Sequence, residues 1–221
     1  MSTSFAQELV VRLSEKHLLK HPFYQAWSDG SLPVETIRNY AGQYYQHVRA
    51  FPRYLSATHA GCEDLSTRQM LLENLIDEER GDKNHPELWL RFAEALGMDR
   101  LEVERLEQLP QTRELVETFL SAAQRSYEEG LGVLFAYEHQ IPEIAHFKLE
   151  ALQRHYSVSS ERGTAFFEVH RQADVYHTEA LAKALEALPP SARERATLAA
   201  QNAADKLWDF LSAFPKAHCA A

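Results

Sequence analysis

The sequence has little cysteine and no long apolar run. Only 2 of its 221 residues are cysteine, which excludes a disulfide-stapled secreted module and fits a reducing cytoplasm. No stretch approaches the roughly 20 apolar residues that a membrane-spanning helix needs. The first residues also lack the basic and apolar regions of a secretory signal. We therefore expect a cytoplasmic protein with no membrane partner.

Positive charge is also scarce. The chain carries 23 lysines and arginines against 32 aspartates and glutamates, which gives a formal net charge of −9. Nucleic-acid binding needs a basic surface facing the phosphates, and no cluster of basic residues reverses the balance locally. The composition therefore argues against a nucleic-acid partner.

Glycine and strand patterns are scarce too, whereas helical periodicity is plentiful. The 9 prolines mostly lie where helices could begin or end, and no segment shows sustained strand alternation. The pattern predicts one all-α domain over residues 1–221 with about seven helices. The predicted helices cover residues 4–19, a short helix or turn at 21–27, 31–59 with a kink at Pro52, 67–80, 85–97, 110–122, 128–156 with Pro142 inside it, 160–187 and 192–214.

Three ligand-type side chains form a row in the helix over residues 160–187. His170, Asp174 and His177 stand at relative positions 0, 4 and 7, so the last two lie within roughly 40° of the His170 direction. Imidazole nitrogen combined with carboxylate oxygen suits iron, manganese or zinc. The row can supply only part of a coordination sphere, and a solvated polar face would have the same spacing.

Acidic residues that continue an apolar stripe supply further candidates, because a buried carboxylate is costly unless it is paired or bound to metal. Glu138 continues the stripe of Leu131 and Leu134. An arginine partner is the alternative explanation for it. Pro142 cannot donate the helical hydrogen bond to the Glu138 carbonyl, which predicts a kink there.

A second acidic candidate lies near residue 80. Glu78 continues an apolar stripe and precedes His85 by seven residues, but Glu79 continues a neighbouring stripe and competes with it. The break at Gly81 prevents helix geometry from choosing between them. Carboxylates with histidines are the ligands by which helical bundles hold two iron or manganese ions. The full candidate set is Glu78, His85, Glu138, His170, Asp174 and His177.

These motifs resemble the CADD group (chlamydial protein associating with death domains) of the heme-oxygenase-like superfamily, to which PqqC and TenA proteins also belong. The resemblance rests on the segments 74–79 and 84–89, on Tyr137-Glu138 and on the row of residues 170–177. It extends from residue 21 to the last helix. It implies a heme-oxygenase-like helical bundle that encloses a dinuclear Fe/Fe or Mn/Fe site, and its spacing to His85 favours Glu78 over Glu79.

The resemblance also implies a reaction. Members of the CADD group are understood to make 4-aminobenzoate for folate, with dioxygen and a reductant as co-substrates, by consuming residues of their own chain. In this sequence Tyr24 matches the tyrosine that supplies the ring, and Lys148 matches the lysine that supplies the amino nitrogen. Tyr40 and Tyr137 match supporting redox positions. The superfamily also implies a homodimer, which is a common state of this fold.

Two other interpretations remain open at this point. A PqqC- or TenA-like small-molecule enzyme would use the same fold without a metal pair. TenA-type hydrolysis needs a nucleophilic cysteine, and neither Cys62 nor Cys219 is placed convincingly for that role. A non-catalytic protein that binds partner helices through its acidic surface is the other interpretation, and metal analysis would separate it from the oxygen-dependent enzyme.

Overall fold

The computed structural model describes residues 3–214, without the side chains of residues 172–176, and every regular element in that range is a helix. The all-α prediction is confirmed, but the expected count of about seven helices is wrong. Two 3-10 turns, Ser14–Lys16 and Leu18–Lys20, follow the first helix. The α-helices of the described range are α1 (Phe5–Leu13), α2 (Pro22–Ser28), α3 (Val34–Val48), α4 (Phe51–Gly61), α5 (Leu65–Glu79), α6 (His85–Ala95), α7 (Arg100–Arg105), α8 (Pro110–Arg125), α9 (Tyr127–Glu138), α10 (Ile141–His155), α11 (Glu161–Glu186) and α12 (Pro190–Ser212).

Prolines explain most of the additional helices. The predicted helix over 31–59 is two helices, with Pro52 in the first turn of α4. The predicted helix over 128–156 is also two, with Pro142 in the first turn of α10. Proline fits a first turn because its missing N–H would have no helical partner there. The chain therefore stops and restarts where the sequence predicts a kink. Helix α7 lies in a segment for which the sequence pattern predicts no helix.

Short polar side chains fix where the helices begin. Ser4 caps the start of α1, in a capping box with Gln7. Asn84 accepts a backbone N–H of α6 at 2.9 Å, and Ser160 accepts one of α11 at 3.2 Å. These caps satisfy donors that a helix start leaves unpaired. Helices α6 and α11 carry candidate ligands, so the two caps help to set where those ligands lie.

A network of ion pairs ties α6 to α7 and α11 at the surface. Arg100 contacts Glu87 at 2.5 Å and Glu94 at 3.1 Å, and Arg162 contacts Glu94 at 2.6 Å. Hydrogen bonds from Arg100 lower the pKa of Glu87 to about 2. The network therefore stays ionised at neutral pH and holds the helices of His85 and His170 against each other.

Helix α9 lies at the centre of the apolar core. All of its residues from Gly130 to Glu138 are buried, as expected for a helix that is surrounded by others. It packs against α4, α8, α11 and α12. The core therefore places Glu138, the last residue of α9, in the interior. None of the described helices is both long enough and apolar enough to cross a membrane.

Helices α9 and α12 approach most closely at Gly132. A Cβ atom at that position would lie 2.3 Å from the carbonyl oxygen of Ala196. The inward side of α12 is rich in alanine, which permits this approach: Ala192, Ala196, Ala200, Ala203 and Ala204 are all buried. A backbone carbonyl inside a helix cannot turn aside as a flexible side chain can.

We expect Gly132→Ala to lower the free energy of unfolding by roughly 1–3 kcal/mol, because overpacking forces the two helices apart. Urea denaturation measures this quantity. Gly61→Ala is the matched control, since a Cβ there meets its nearest neighbour at an ordinary 3.5 Å. Equal effects of the two substitutions would contradict a backbone contact that is specific to Gly132.

Candidate metal centre

Three buried side chains converge where α5, α6 and α11 meet. Glu78 lies in the last turn of α5, His85 is the first residue of α6, and His170 lies within α11. Their exposed fractions are 6%, 2% and 4%. One ligand atom from each lies within 4.8 Å of the other two. Glu79 is exposed, so the structure turns Glu78 rather than Glu79 toward this cluster.

The contact between Glu78 and His85 has the character of a shared ion site. Glu78 Oε1 and His85 Nδ1 form a buried ion pair at 2.8 Å. Burial works to lower the pKa of His85, but the adjacent Glu78 carboxylate outweighs it and the pKa is raised. A metal ion that contacts both atoms would replace the proton that this pair holds.

His170 is already oriented as a metal ligand. Its Nδ1–H donates to the carbonyl of Phe166, one helical turn earlier, at 2.6 Å. A carbonyl can only accept, so this bond places the proton on Nδ1 and leaves Nε2 available. Burial lowers the pKa of His170 well below its usual value. The neutral imidazole is the form that binds metal ions.

Glu138 is a further candidate ligand, which lies outside the group of Glu78, His85 and His170 whose ligand atoms are within 4.8 Å of one another. Only one of its two carboxylate oxygens has a hydrogen-bond partner among the described residues. Its Oε1 accepts a hydrogen bond from Asn74 Nδ2 at 2.9 Å, while its buried Oε2 has no partner in the described part of the chain. Within that part, Glu138 also forms no ion pair, so the arginine alternative finds no support. Burial raises the pKa of Glu138 to about 8, and the charge of Glu78 adds to the effect. A bound cation would offset the cost of ionising this carboxyl group.

The backbone at Glu138 is held as well. Pro142 cannot serve the Glu138 carbonyl, and the Thr178 hydroxyl donates to it instead at 3.1 Å. This bond joins the end of α9 to α11, next to His177. The Glu138 carbonyl, which Pro142 leaves without a helical partner, therefore finds one on α11. The same helix carries the two further candidate ligands, Asp174 and His177.

The last two candidate ligands, His177 and Asp174, differ in how much of them the structure describes. His177 is buried, and its Nε2 lies 3.2 Å from Asp77 Oδ2 rather than in the cluster of Glu78, His85 and His170. The charges of Glu78 and His85 still reach it, since both influence its pKa. Its assignment as a ligand stays a prediction. Asp174 lies among the side chains outside the described residues.

A chamber of aromatic rings surrounds Lys148. Its side chain is only 3% exposed, and burial lowers its pKa well below the usual value. Burial therefore favours the neutral form of the amine. Its Nζ lies 4.9–5.9 Å from the centroids of six rings, those of Tyr24, Trp27, Tyr40, Tyr44, Trp89 and Phe167. We refer to these six rings as the aromatic chamber.

Hydrogen bonds connect the tyrosines of the aromatic chamber. Lys148 Nζ donates to Tyr40 Oη at 2.7 Å, and Tyr40 Oη lies 3.1 Å from Tyr24 Oη. Tyr44 stacks on Tyr40 at 5.2 Å and shares a 2.6 Å hydrogen bond with Tyr137. The structure therefore brings Tyr24, Tyr40 and Lys148 into direct contact and joins Tyr137 to them through Tyr44.

The rings of Phe166 and Trp89 lie between the cluster of candidate ligands and Lys148. The ring of Phe166 lies 4.0 Å from that of His170 and 4.7 Å from that of Trp89. Trp89 in turn lies 5.7 Å from Lys148 Nζ. Two buried aromatic side chains thus lie between the candidate metal site and the lysine.

Comparison with known proteins agrees with this geometry. A family model described as "iron-containing redox enzyme" matches residues 38–208. The chain belongs to this family. Membership in the iron-containing redox enzymes classes the protein as an oxidoreductase, and it fits the buried Glu78, His85 and His170 cluster as the place where metal would bind.

Relatives within the iron-containing redox enzymes confirm the resemblance to the CADD group. A 4-aminobenzoate synthase of Chlamydia pneumoniae is 41% identical over 214 residues, which cover 96% of this chain and 95% of the relative. A 4-aminobenzoate synthase of Nitrosomonas europaea is 38% identical over 231 residues, covering 99% and 94%.

A solved structure confirms the fold. A domain of unknown function from Shewanella denitrificans, described as having a heme oxygenase-like fold, superposes with a TM-score of 0.76 at 17% identity. The match covers 94% of this chain and 89% of that one. The predicted heme-oxygenase-like architecture is therefore correct.

Sequence reasoning missed two polar neighbours of the cluster, Asn74 and Asp77. Asn74 precedes Glu78 by four residues, so it lies on the same face of α5 and could have been found from that spacing. Asp77 lies on a more exposed side of the helix. Its contact with His177 depends on how α5 packs against α11, which the sequence pattern does not encode.

In the metal-free protein, Glu138 should make stability fall as the pH rises. Between about pH 6 and pH 8 the unfolded chain has an ionised Glu138, whereas the folded chain still binds a proton there, because its pKa is about 8. The folded state therefore binds more protons, and stability declines by at most roughly 1.4 kcal/mol per pH unit. Urea denaturation across this range measures the slope.

Glu138→Gln is the control for this prediction, because it keeps the size of the side chain and removes the titrating group. Its stability should vary less with pH over the same range. Other groups such as His85 titrate in both proteins, so the difference between the two slopes isolates Glu138. Identical slopes would show that Glu138 does not bind a proton in the folded, metal-free protein.

Proposed function

We propose that this protein is a 4-aminobenzoate synthase that builds its product, a folate precursor, from two of its own side chains. Tyr24 supplies the ring and Lys148 supplies the amino nitrogen. A pair of metal ions, Fe/Fe or Mn/Fe, acts with dioxygen and a reductant. The observation that carries the proposal is the position of the buried Lys148 amine, which lies over the ring of Tyr24 at 4.9 Å from its centroid. Burial also favours the neutral form of this amine. The relatives at 41% and 38% identity carry the name of this activity.

The carbon skeleton of the product is already present in a tyrosine side chain. The six-membered ring is common to both, the tyrosine Cβ corresponds to the carboxyl carbon, and the para oxygen occupies the place of the amino group. Conversion therefore requires a new C–N bond at the para carbon, with cleavage of the para C–O bond and loss of that oxygen as water. It also requires cleavage of Cα–Cβ and of the lysine Cε–Nζ bond, and oxidation of Cβ to a carboxyl group. Dioxygen is the oxidant of this conversion.

Lys148 is prepared to act as the nitrogen nucleophile. An ammonium group has no lone pair, and only a desolvated, neutral lysine can attack an electron-poor carbon. Attack on a ring proceeds from above its plane, which is the side on which Nζ lies relative to Tyr24. The surrounding rings keep water, a competing nucleophile, away from the same carbon.

Tyr40 has a role in moving protons. Formation of the C–N bond requires the lysine nitrogen to lose a proton, and burial leaves no solvent to accept it. Tyr40 Oη lies within hydrogen-bond distance of both Tyr24 Oη and Lys148 Nζ. It can accept the proton from the nitrogen and pass its own to Tyr24 Oη, the oxygen that leaves.

The metal pair would be held by Glu78, His85, Glu138 and His170, together with the predicted ligands Asp174 and His177. When bound, it supplies activation of dioxygen, for which amino-acid side chains have no suitable redox chemistry. The Phe166 carbonyl keeps the His170 ring turned toward the site. Phe166 and Trp89 keep the site adjacent to the aromatic chamber.

Isotope labelling tests the origin of the product. Protein made with ¹⁵N-lysine and ring-¹³C tyrosine, loaded with metal and supplied with dioxygen and reductant, should release 4-aminobenzoate that carries both labels. The reaction should contain excess unlabelled lysine and tyrosine, so that a free amino-acid substrate would give unlabelled product. Peptide mass spectrometry of the spent chain should show loss of mass at Tyr24 and Lys148.

Variants assign the labels to single residues. Tyr24→Phe and Lys148→Met should each reduce the product to background, because they remove the para oxygen and the nitrogen while largely filling the space. The matched controls are Tyr54→Phe, which changes another fully buried tyrosine, and Lys206→Met, which changes a surface lysine. Unimpaired product from Tyr24→Phe would refute the consumption of Tyr24.

Metal content tests the metal pair and separates the enzyme from a non-catalytic interaction protein. Purified protein supplied with Fe and Mn should retain about two ions per chain. The double variant His170→Ala with Glu138→Ala should lose most of this metal and should not restore growth to a strain that lacks its own 4-aminobenzoate enzymes. Restored growth by the double variant would rule out the metal mechanism.

A further inference from the structure

We propose that Asn74 is a positioning residue of the metal centre, which holds one oxygen of Glu138 so that the other is presented to a bound ion. The inference rests on the metal part of the proposed function and not on the synthesis of 4-aminobenzoate. Asn74 is not a ligand in this proposal. It acts through the carboxylate that it contacts.

Helix α5 contributes two residues to the candidate site, Asn74 and Glu78. Asn74 is 1% exposed and lies one turn before Glu78 on the same face of α5. Its Nδ2 donates to Glu138 Oε1 at 2.9 Å, across the interface between α5 and the end of α9. Helix α5 thus contributes a candidate ligand from one position and fixes a ligand of another helix from the position four residues earlier.

Two oxygen atoms that remain without a hydrogen-bond partner in the described part of the chain indicate which ligand fits this site. Glu138 Oε2 and Asn74 Oδ1 are both buried and without a hydrogen-bond partner in the described residues. When Glu138 is ionised, the form that binds a metal ion, both are acceptors and cannot satisfy each other. A cation matches the carboxylate oxygen, and a water molecule bound to that cation matches the amide oxygen. The two unpaired oxygens therefore need a positive ion and a hydrogen-bond donor beside them.

The same hydrogen bond determines which atom of the Asn74 amide, Nδ2 or Oδ1, faces Glu138. If the amide group were turned over, Oδ1 would face Glu138 Oε1 and two acceptors would oppose each other. Thr178 holds the Glu138 carbonyl at the other end of the residue, at 3.1 Å. With its backbone and one carboxylate oxygen both held, Glu138 has little freedom left in the direction of Oε2.

A purely structural role for Asn74 would have a different outcome. In that case the amide would only compensate a buried carboxylate, and its loss would reduce stability without a specific effect on metal affinity. Binding of Mn²⁺ to the metal-free protein separates the two roles, because free Mn²⁺ is counted directly by electron paramagnetic resonance and no turnover is needed.

Asn74→Leu, which has similar size and no hydrogen-bonding group, should weaken Mn²⁺ binding about 10–100-fold, the usual cost of removing a group that orients a ligand. Asn74→Ala gives the same test if the leucine variant does not fold. Leu71→Ala is the matched control: Leu71 is fully buried on α5, one turn before Asn74. It should lower the melting temperature of the protein and leave Mn²⁺ affinity unchanged.

A double-mutant cycle shows whether Asn74 acts through Glu138. In a Glu138→Gln background the charged acceptor is gone, so adding Asn74→Leu should cause little further loss of Mn²⁺ affinity. Wild-type affinity in Asn74→Leu overturns the proposal, as does an equal loss in both backgrounds or an equal loss in Leu71→Ala. Wild-type protein that binds Mn²⁺ but makes no 4-aminobenzoate would refute the proposed synthesis and leave this result standing.

Discussion

The cost of burying negative charge governs the centre of this molecule. Glu78 and Glu138 both lie inside the protein, and their mutual repulsion adds to the desolvation of Glu138. Only part of this cost is offset by protein groups, through His85 at Glu78 and Asn74 at Glu138. A buried carboxylate with an unpaired oxygen is retained by a fold when something positive occupies the space beside it. Three helices, α5, α6 and α11, meet where that charge would be compensated.

Some of this could be predicted from the sequence because it depends on local pattern. Helical periodicity predicts the all-α class, and the hydrophobic stripe that Glu138 continues marks it as buried. The stripes alone leave Glu78 and Glu79 as competitors. The exact placement of helix ends depends on more than periodicity. Pro52 and Pro142 were expected to bend helices, but each lies in the first turn of a new one. The Glu138 carbonyl, which Pro142 cannot serve, accepts a hydrogen bond from Thr178 instead. Such partners come from distant parts of the chain.

The aromatic chamber also depends on contacts that the sequence pattern does not predict. The stripe of Tyr40 and Tyr44 is visible in the sequence as one face of a helix, and Tyr24 and Lys148 stand out only through the family resemblance. That Lys148 meets Tyr40, and that Tyr44 meets Tyr137, follows from how α10 and α9 pack against α2 and α3. Periodicity identifies a buried face but does not specify which buried faces meet.

The complete burial of Tyr24 has a consequence for the lifetime of the protein. Its ring contacts Phe23, Trp27 and Tyr40, so it is part of the packing of the core as well as the proposed reactant. Removing an aromatic ring from such a position typically costs about 3–5 kcal/mol of stability, which is a large part of what a single domain possesses. A chain that has yielded its tyrosine therefore carries a ring-sized void at its centre and unfolds more readily. Spent and unspent molecules would differ in their susceptibility to proteolysis, so the chemistry itself would mark used protein for removal.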